Sequence, residues 1–284
     1  MEILFCTDGS QISYDSIINF SKWFKNLNTD ILSVADWTCL SDTLIGDGAG
    51  VMAYCTNNAN AIINNARLYL EENGIKVTNT YTNCGAVVDT ILEVSNKKNY
   101  EYLVLGSNGK KGLQKWLGSV SQEISELSKS SVYVSKGQNT SKKIAFALDE
   151  ALLKSEKFEN TLENINLDGK EIHLLTVFES PDYMFLEGTI DSNWANDIRK
   201  KQENAGKKLL YEFEEIFNDY GYNINSKKVL SGAPSKEIVD YCSNYKIDLV
   251  VCGMKNKKLL SRIFSGSVSK RILENTDSDI LIMK

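Results

Sequence analysis

The chain has 284 residues, 42% of them hydrophobic and 24% charged, and a net charge of −5 at neutral pH. That length suits two ordinary domains, each with enough apolar residues for a core. The charge divides as −3 for residues 1–138 and −2 for the rest, and no long Lys/Arg run occurs, so a nucleic-acid or membrane-surface footprint is excluded.

In chain order, the first half reads as strand 2–7, helix 11–26, strand 31–36, helix 57–73, strand 75–80, helix 86–98, strand 101–105, helix 118–128 and strand 131–135. The strands are short, apolar runs, and helices such as 13–24 place apolar residues at i, i+3, i+4 and i+7. The polar segment 136–142 reads as a linker. The order then repeats: strand 143–148, helix 151–164, strand 171–178, helix 194–220, strand 223–230, helix 234–245, strand 247–252, helix 266–275 and strand 278–283. Alternating strands and helices predict an α/β fold, a parallel sheet covered on both faces, in two domains spanning 1–136 and 143–284.

Motifs repeat along with the elements. Gly118-Ser119-Val120-Ser121 returns as Gly266-Ser267-Val268-Ser269, and Gly85-Ala86 returns as Gly232-Ala233. Strands 131–135 and 278–283 are apolar and would otherwise be bare sheet edges, so the two halves are expected to pack through them as a pseudo-twofold pair.

Chemistry concentrates where strands end. Gly106-Ser107-Asn108-Gly109 leaves the fourth strand, and Gly118-Ser119 opens the next helix. Ligands of open parallel sheets bind beyond the carboxyl ends of the strands, and a helix start offers unpaired N–H groups to an anion. Ser119 and Ser121 would add hydroxyl donors, and Lys110 and Lys111 positive charge. The alternative is a loop whose glycines only make turns and whose Ser119 caps a helix. Asp8, in Thr7-Asp8-Gly9-Ser10, either accepts hydrogen bonds from a ribose hydroxyl or adenine amine, or caps the first helix.

These motifs, Asp-Gly-Ser after strand one and Gly-x-x-Gly with Gly-Ser-Val-Ser around a short loop, resemble the universal stress protein family, and the resemblance covers the chain twice. It implies two tandem flavodoxin-like domains, each with a five-stranded sheet that associates through its last strand. ATP-binding members carry Gly-x2-Gly-x9-Gly-Ser/Thr. By that resemblance Gly106, Gly109, Gly118 and Ser119 hold phosphates, Val120 belongs to the same nucleotide site, Asp8 meets the adenosine, Cys6 and Thr7 line it, and backbone at Val34 reads the adenine edge. The ligand implied is an adenine nucleotide, ATP or AMP, with Mg²⁺ as a companion ion; the spacer 110–117 is one residue shorter than the family's.

The second copy reads as a degenerate site at Asp149, Val177, Gly253, Asn256, Gly266, Ser267 and Val268. Asn256 replaces the second glycine, and Glu150-Ala151-Leu152 replaces the small residues after the aspartate. The leading reading is a stress-response binding and signalling module holding its nucleotide in the first domain. The alternatives are a slow ATPase and a scaffold without nucleotide, and a homodimer is compatible with the resemblance.

Other signals are set aside. Gly46-Asp47-Gly48-Ala49-Gly50 lacks the spacing and helix of a dinucleotide fingerprint and reads as a loop over the site mouth. The one histidine, His173, reads as a core or sheet-edge residue. Glu71-Glu72 and Glu214-Glu215 read as solvated charge, and Tyr211, Phe213, Phe217 and Tyr220 as packing or an interdomain contact. Six cysteines at 6, 39, 55, 84, 242 and 252 show no Cys-x-x-Cys, which fits reduced thiols rather than a disulfide or zinc framework. The chain starts on a strand with no signal-peptide pattern, so the expected location is the cytoplasm.

Overall fold

A computed structural model describes residues 1–36, 48–107, 118–137, 140–179, 192–254 and 267–284. The chain forms two compact units, Met1–Asn139 and Thr140–Met283. In the first, β1 (Glu2–Cys6), β2 (Asn28–Asp36), β3 (Val77–Gly85), β4 (Tyr102–Gly106) and β5 (Ser131–Ser135) form a parallel sheet in the order β3-β2-β1-β4-β5. Among the described residues its helices are α1 (Gln11–Trp23), α2 (Gly48–Glu72), α3 (Val87–Lys97) and α4 (Ser119–Leu127). Right-handed crossovers lay α1 and α2 on one face of the sheet and α3 and α4 on the other.

The second unit repeats this plan. Strands β6 (Lys143–Ala147), β7 (Glu171–Phe178), β8 (Ser226–Ser231), β9 (Leu249–Gly253) and β10 (Asp279–Met283) run parallel in the order β8-β7-β6-β9-β10. Helices α5 (Glu150–Leu153), α6 (Glu156–Asn164), α7 (Ser192–Asp219), α8 (Pro234–Tyr245) and α9 (Ser267–Asn275) complete it.

Each core is built on aromatic rings packed between a helix and the sheet. Phe20 of α1 meets Tyr133 of β5 edge-on at 5.2 Å, with Phe24 and Tyr102 beside them. In the second unit Phe146 of β6 meets Phe217 at 4.9 Å, and Phe158 meets Phe213 at 5.2 Å. The aromatic stretch of α7 thus divides: Phe213 and Phe217 are buried, whereas Tyr211 and Tyr220 are exposed.

Several boundaries differ from the expectation for physical reasons. Helix α2 begins at Gly48, so Gly48–Gly50 is helical rather than loop; Gly46 and Asp47 lie outside the described residues. The expected strand at 75–80 is displaced to Val77–Gly85 because Ile75 closes the preceding helix. Its N–H bonds to Leu70 O at 2.9 Å across Gly74, whose φ is +75°. The second copy repeats the device with Tyr222 on Phe217 and Gly221 at +81°, so β8 starts at Ser226 instead of 223. The expected helix 151–164 is two helices, α5 ending at the cap Lys154 and α6 starting after Ser155.

Each sheet buries a polar cluster at the amino end of its second strand. Asp30 of β2, fully buried, accepts from Tyr100 Oη at 2.6 Å, Lys98 Nζ at 2.9 Å, and the N–H and Nδ2 of Asn79 at 3.0 Å each. Burial opposes its ionisation. The bonds from Tyr100, Lys98 and Asn79 and the Lys98 charge outweigh it and hold the carboxyl below the usual range. In β7 the corresponding register position belongs to His173: Asp30 pairs with Leu4 as His173 pairs with Ala145. His173 is 2% exposed, with Nδ1 2.8 Å from Tyr241 Oη and Nε2 2.9 Å from Glu171 Oε1. It is a satisfied core residue, as its sequence context implied.

Candidate functional site

In the first sheet the chain runs outward from β1 through β2 to β3, then returns to β4 on the other side of β1. The strand order reverses between β1 and β4, and parallel sheets open a crevice at such a point beyond the carboxyl ends of the strands. The described residues expected in the site stand at this end.

Cys6 closes β1 and is buried, and burial pushes its thiol up, so it contributes a wall and not a nucleophile. Thr7 follows, with its Oγ1 2.7 Å from Ser13 Oγ and accepting from the Gly9 N–H at 3.0 Å. Asp8 Oδ1 accepts from the Ser10 N–H at 3.0 Å. The cap of α1 is Ser10, whose Oγ accepts from Ser13 N, so Asp8 shapes the turn before the helix rather than capping it. Gly9 sits at φ +75°, a conformation that suits glycine in this turn. Val34 lies half-buried toward the carboxyl end of β2, opposite Asn83.

Gly106 ends β4 and has a packing role of its own. A Cβ here would stand 3.0 Å from the Ser13 backbone nitrogen and 3.1 Å from the Ile12 carbonyl carbon, so the glycine lets α1 lie directly on the strand end. Ser121 Oγ donates to Gly106 O at 2.7 Å, so this hydroxyl, read from the sequence as a ligand donor, serves the fold. Gly118 caps α4 with no side-chain hydrogen bond, and its N–H donates to Ser107 O. Ser119 is therefore the first helical residue and not the cap, and it is exposed, with Val120 half-buried behind it. The first-turn N–H groups of α4 receive no side-chain cap, which leaves them suited to an anion. Gly109 lies outside the described residues.

One residue near this site was not singled out from the sequence. Tyr14 of α1 is half-buried and stacked on Tyr69 of α2, ring centres 5.0 Å apart. Burial and then the charge of Asp8 push its phenol up, which places Tyr14 within the electrostatic reach of that carboxylate. Its position four residues into a helix gave it the look of an ordinary surface residue.

In the second unit the corresponding strand end is built differently. Asp149 caps α5, its Oδ1 accepting from the N–H groups of Ala151 and Leu152 at 3.1 Å each. Leu152 is buried, and its side chain fills the space beside Gly253, 2.8 Å from where a Cβ would be. Val177 is half-buried near the end of β7, Ser267 opens α9, and Val268 is 39% exposed. Asn256 and Gly266 lie outside the described residues. Among the described residues no group of three or more potential ligands could hold a metal ion, and no helix is long and apolar enough to cross a membrane.

The universal stress protein family model matches residues 1–136 and again residues 140–284. The chain belongs to the universal stress protein family. It is a tandem member, with one family domain in each half. It is 24% identical over 151 residues to the universal stress protein MJ0531 of Methanocaldococcus jannaschii, covering 53% of this chain and 86% of that protein. It is likewise 24% identical over 112 residues to universal stress protein C of Escherichia coli O157:H7, covering 39% and 73%. The crystal structure of a universal stress protein from Archaeoglobus fulgidus DSM 4304 superposes on the whole chain and 96% of its own, with a TM-score of 0.65 at 20% identity. That likeness establishes the shared fold across both copies.

The two glycines at equivalent strand ends make a testable contrast. Gly106→Ala should destabilise the first unit by about 1–3 kcal/mol, because the new methyl meets backbone that cannot turn aside. Gly253→Ala should cost less, since the atoms in its way belong to the Leu152 side chain. Denaturant unfolding of the two variants, followed by hydrogen exchange in each unit, measures the difference; equal losses would count against a tighter fit at Gly106.

Proposed function

We propose that this universal stress protein holds one adenine nucleotide, in its first unit, and that the second unit has lost the site. The adenosine lies over the carboxyl ends of β1 and β2, against Cys6, Thr7, Asp8 and Val34. The phosphates lie between the Gly106 turn and the start of α4, held by Gly109, Gly118, Ser119 and Val120, with any Mg²⁺ bound through the phosphates.

The observation that carries this reading is the unencumbered amino end of α4 at the point where the strand order reverses. A helix that opens on glycine there offers backbone donors to an anion without a competing side chain. The turn at Thr7–Ser10 brings a carboxylate to the same crevice. In the second unit the carboxylate is committed to the α5 amides and Leu152 fills the strand end, which supports loss of the site.

Calorimetry with ATP, ADP and AMP is expected to give one site per chain. Replacing Asn256 should leave that stoichiometry unchanged, whereas Asp8→Ala should weaken binding by about 0.5–1.5 kcal/mol, the worth of a partly hydrated hydrogen bond. Two equivalent sites in the unaltered chain would contradict the loss of the second, and no binding at all would leave the scaffold reading.

A further inference from the structure

Helix α7 carries its charge in two blocks. From Ser192 to Lys208 five cations stand against two anions, and from Leu209 to Asp219 four anions stand with no cation. The acidic block sits at the helix carboxyl end, where backbone carbonyls already concentrate negative charge, so it opposes the helix's own field. The inward face packs conventionally: Leu210, Phe213 and Phe217 are buried, and Gly206 lets the helix lie close to Val229 of β8.

The outward face is a stripe. Lys200, Asn204, Lys208, Tyr211, Glu215 and Asp219 are all exposed. At about 3.6 residues per turn they fall within one arc of roughly 100°. Tyr211, near the middle, is 57% exposed. Among the described residues Lys200, Glu215 and Asp219 enter no ion pair, and Lys208 makes only a loose one, 3.6 Å from Glu212.

We propose that this stripe docks a second copy of the chain, the two α7 helices lying antiparallel about a twofold axis. Charge selects the occupant. The carboxyl-end block repels a uniformly acidic partner, and the amino-end block repels a uniformly basic one. An antiparallel copy presents anions to cations at both ends at once. With the axis between Leu209 and Leu210, Lys200 faces Asp219 of the partner subunit and Asn204 faces Glu215 of the partner subunit. Lys208 then faces Tyr211 of the partner subunit, a cation against an aromatic ring. The same contacts recur in reverse, as a self-complementary twofold surface requires. The stripe spans about 28 Å of helix, so the interface is small, polar and sensitive to salt.

Sedimentation equilibrium of the full chain tests this. At low ionic strength the expected result is a weak, reversible monomer–dimer equilibrium. It should weaken at least about tenfold when salt reaches about 0.5 M. Lys200→Glu and Asp219→Lys should each weaken association about tenfold or more. An equimolar mixture of the two variants should recover dimers, because each altered residue then faces its opposite. All of these positions are exposed, and circular dichroism should report unchanged folding. A chain that stays monomeric, a dimer indifferent to both substitutions, or a mixture without recovery would overturn the proposal.

Discussion

Asp30→Ala is expected to destabilise the first unit by about 1–3 kcal/mol, the usual cost of leaving a buried hydrogen-bonding group without its partner. The loss has a definite origin. Tyr100 Oη, Lys98 Nζ and both Asn79 donors converge on one carboxylate that is shut off from water; alanine leaves the buried Tyr100 hydroxyl without this acceptor, while Lys98 keeps Glu2 and the exposed Asn79 can turn to water. Asp30→Asn keeps the shape and should cost less. The two variants also separate by pH. The Asp30 carboxyl is held below its ordinary range in the folded chain, so its contribution is present above about pH 4 and is lost as pH falls through the folded value. The unaltered chain should therefore lose stability on acidification more steeply than Asp30→Asn. Denaturant melts across acid pH, with hydrogen exchange resolving the two units, measure this; equal slopes would show that the charge of Asp30 contributes nothing.

The largest functional effect is expected at Gly118. Gly118→Val should weaken nucleotide binding by about a hundredfold or more, since hydrogen bonds to a charged phosphate are worth roughly 1.5–3 kcal/mol each. Valine places a branched side chain over the first-turn amides of α4, which are otherwise uncapped. Folding should suffer by only about 1 kcal/mol, the difference between a glycine and an apolar cap. Gly118→Ser makes the companion test. Its hydroxyl would bond the same amides, so the helix should gain stability while the nucleotide loses affinity. Calorimetry alongside thermal melts reads both quantities, and undiminished binding in the valine variant would place the phosphates elsewhere.

Much of this arrangement was legible in the chain before any coordinates. Short apolar runs such as Leu103–Leu105 admit few readings other than a strand buried on both faces, and the repeated Gly-Ser-Val-Ser gave the duplication directly. Strands 131–135 and 171–178 and helix 234–245 have the bounds the pattern implied. Other features were hidden because their cause is tertiary. Gly48-Ala49-Gly50 disfavours a helix locally, yet α2 starts there. Ile75 looks like a first strand residue and Tyr222 like part of a connection, but both serve as helix stops, because their N–H groups reach back five residues. Gly106 illustrates the ambiguity of a single residue type: a glycine needed for close packing reads the same as one needed for a phosphate. Asp30, one residue before an apolar run, looked like a strand boundary rather than the centre of a buried cluster.

The matched positions of Asp30 and His173 bear on how the two copies can evolve. Duplicated halves of a gene can overwrite one another by recombination. Here the exchange is blocked. An imidazole at position 30 could accept from only one of the five donors that meet there, and a carboxylate at 173 would face Glu171 as a like charge. Each cluster is inherited as a set whose members must change together, so these strands have become separate lineages within one chain.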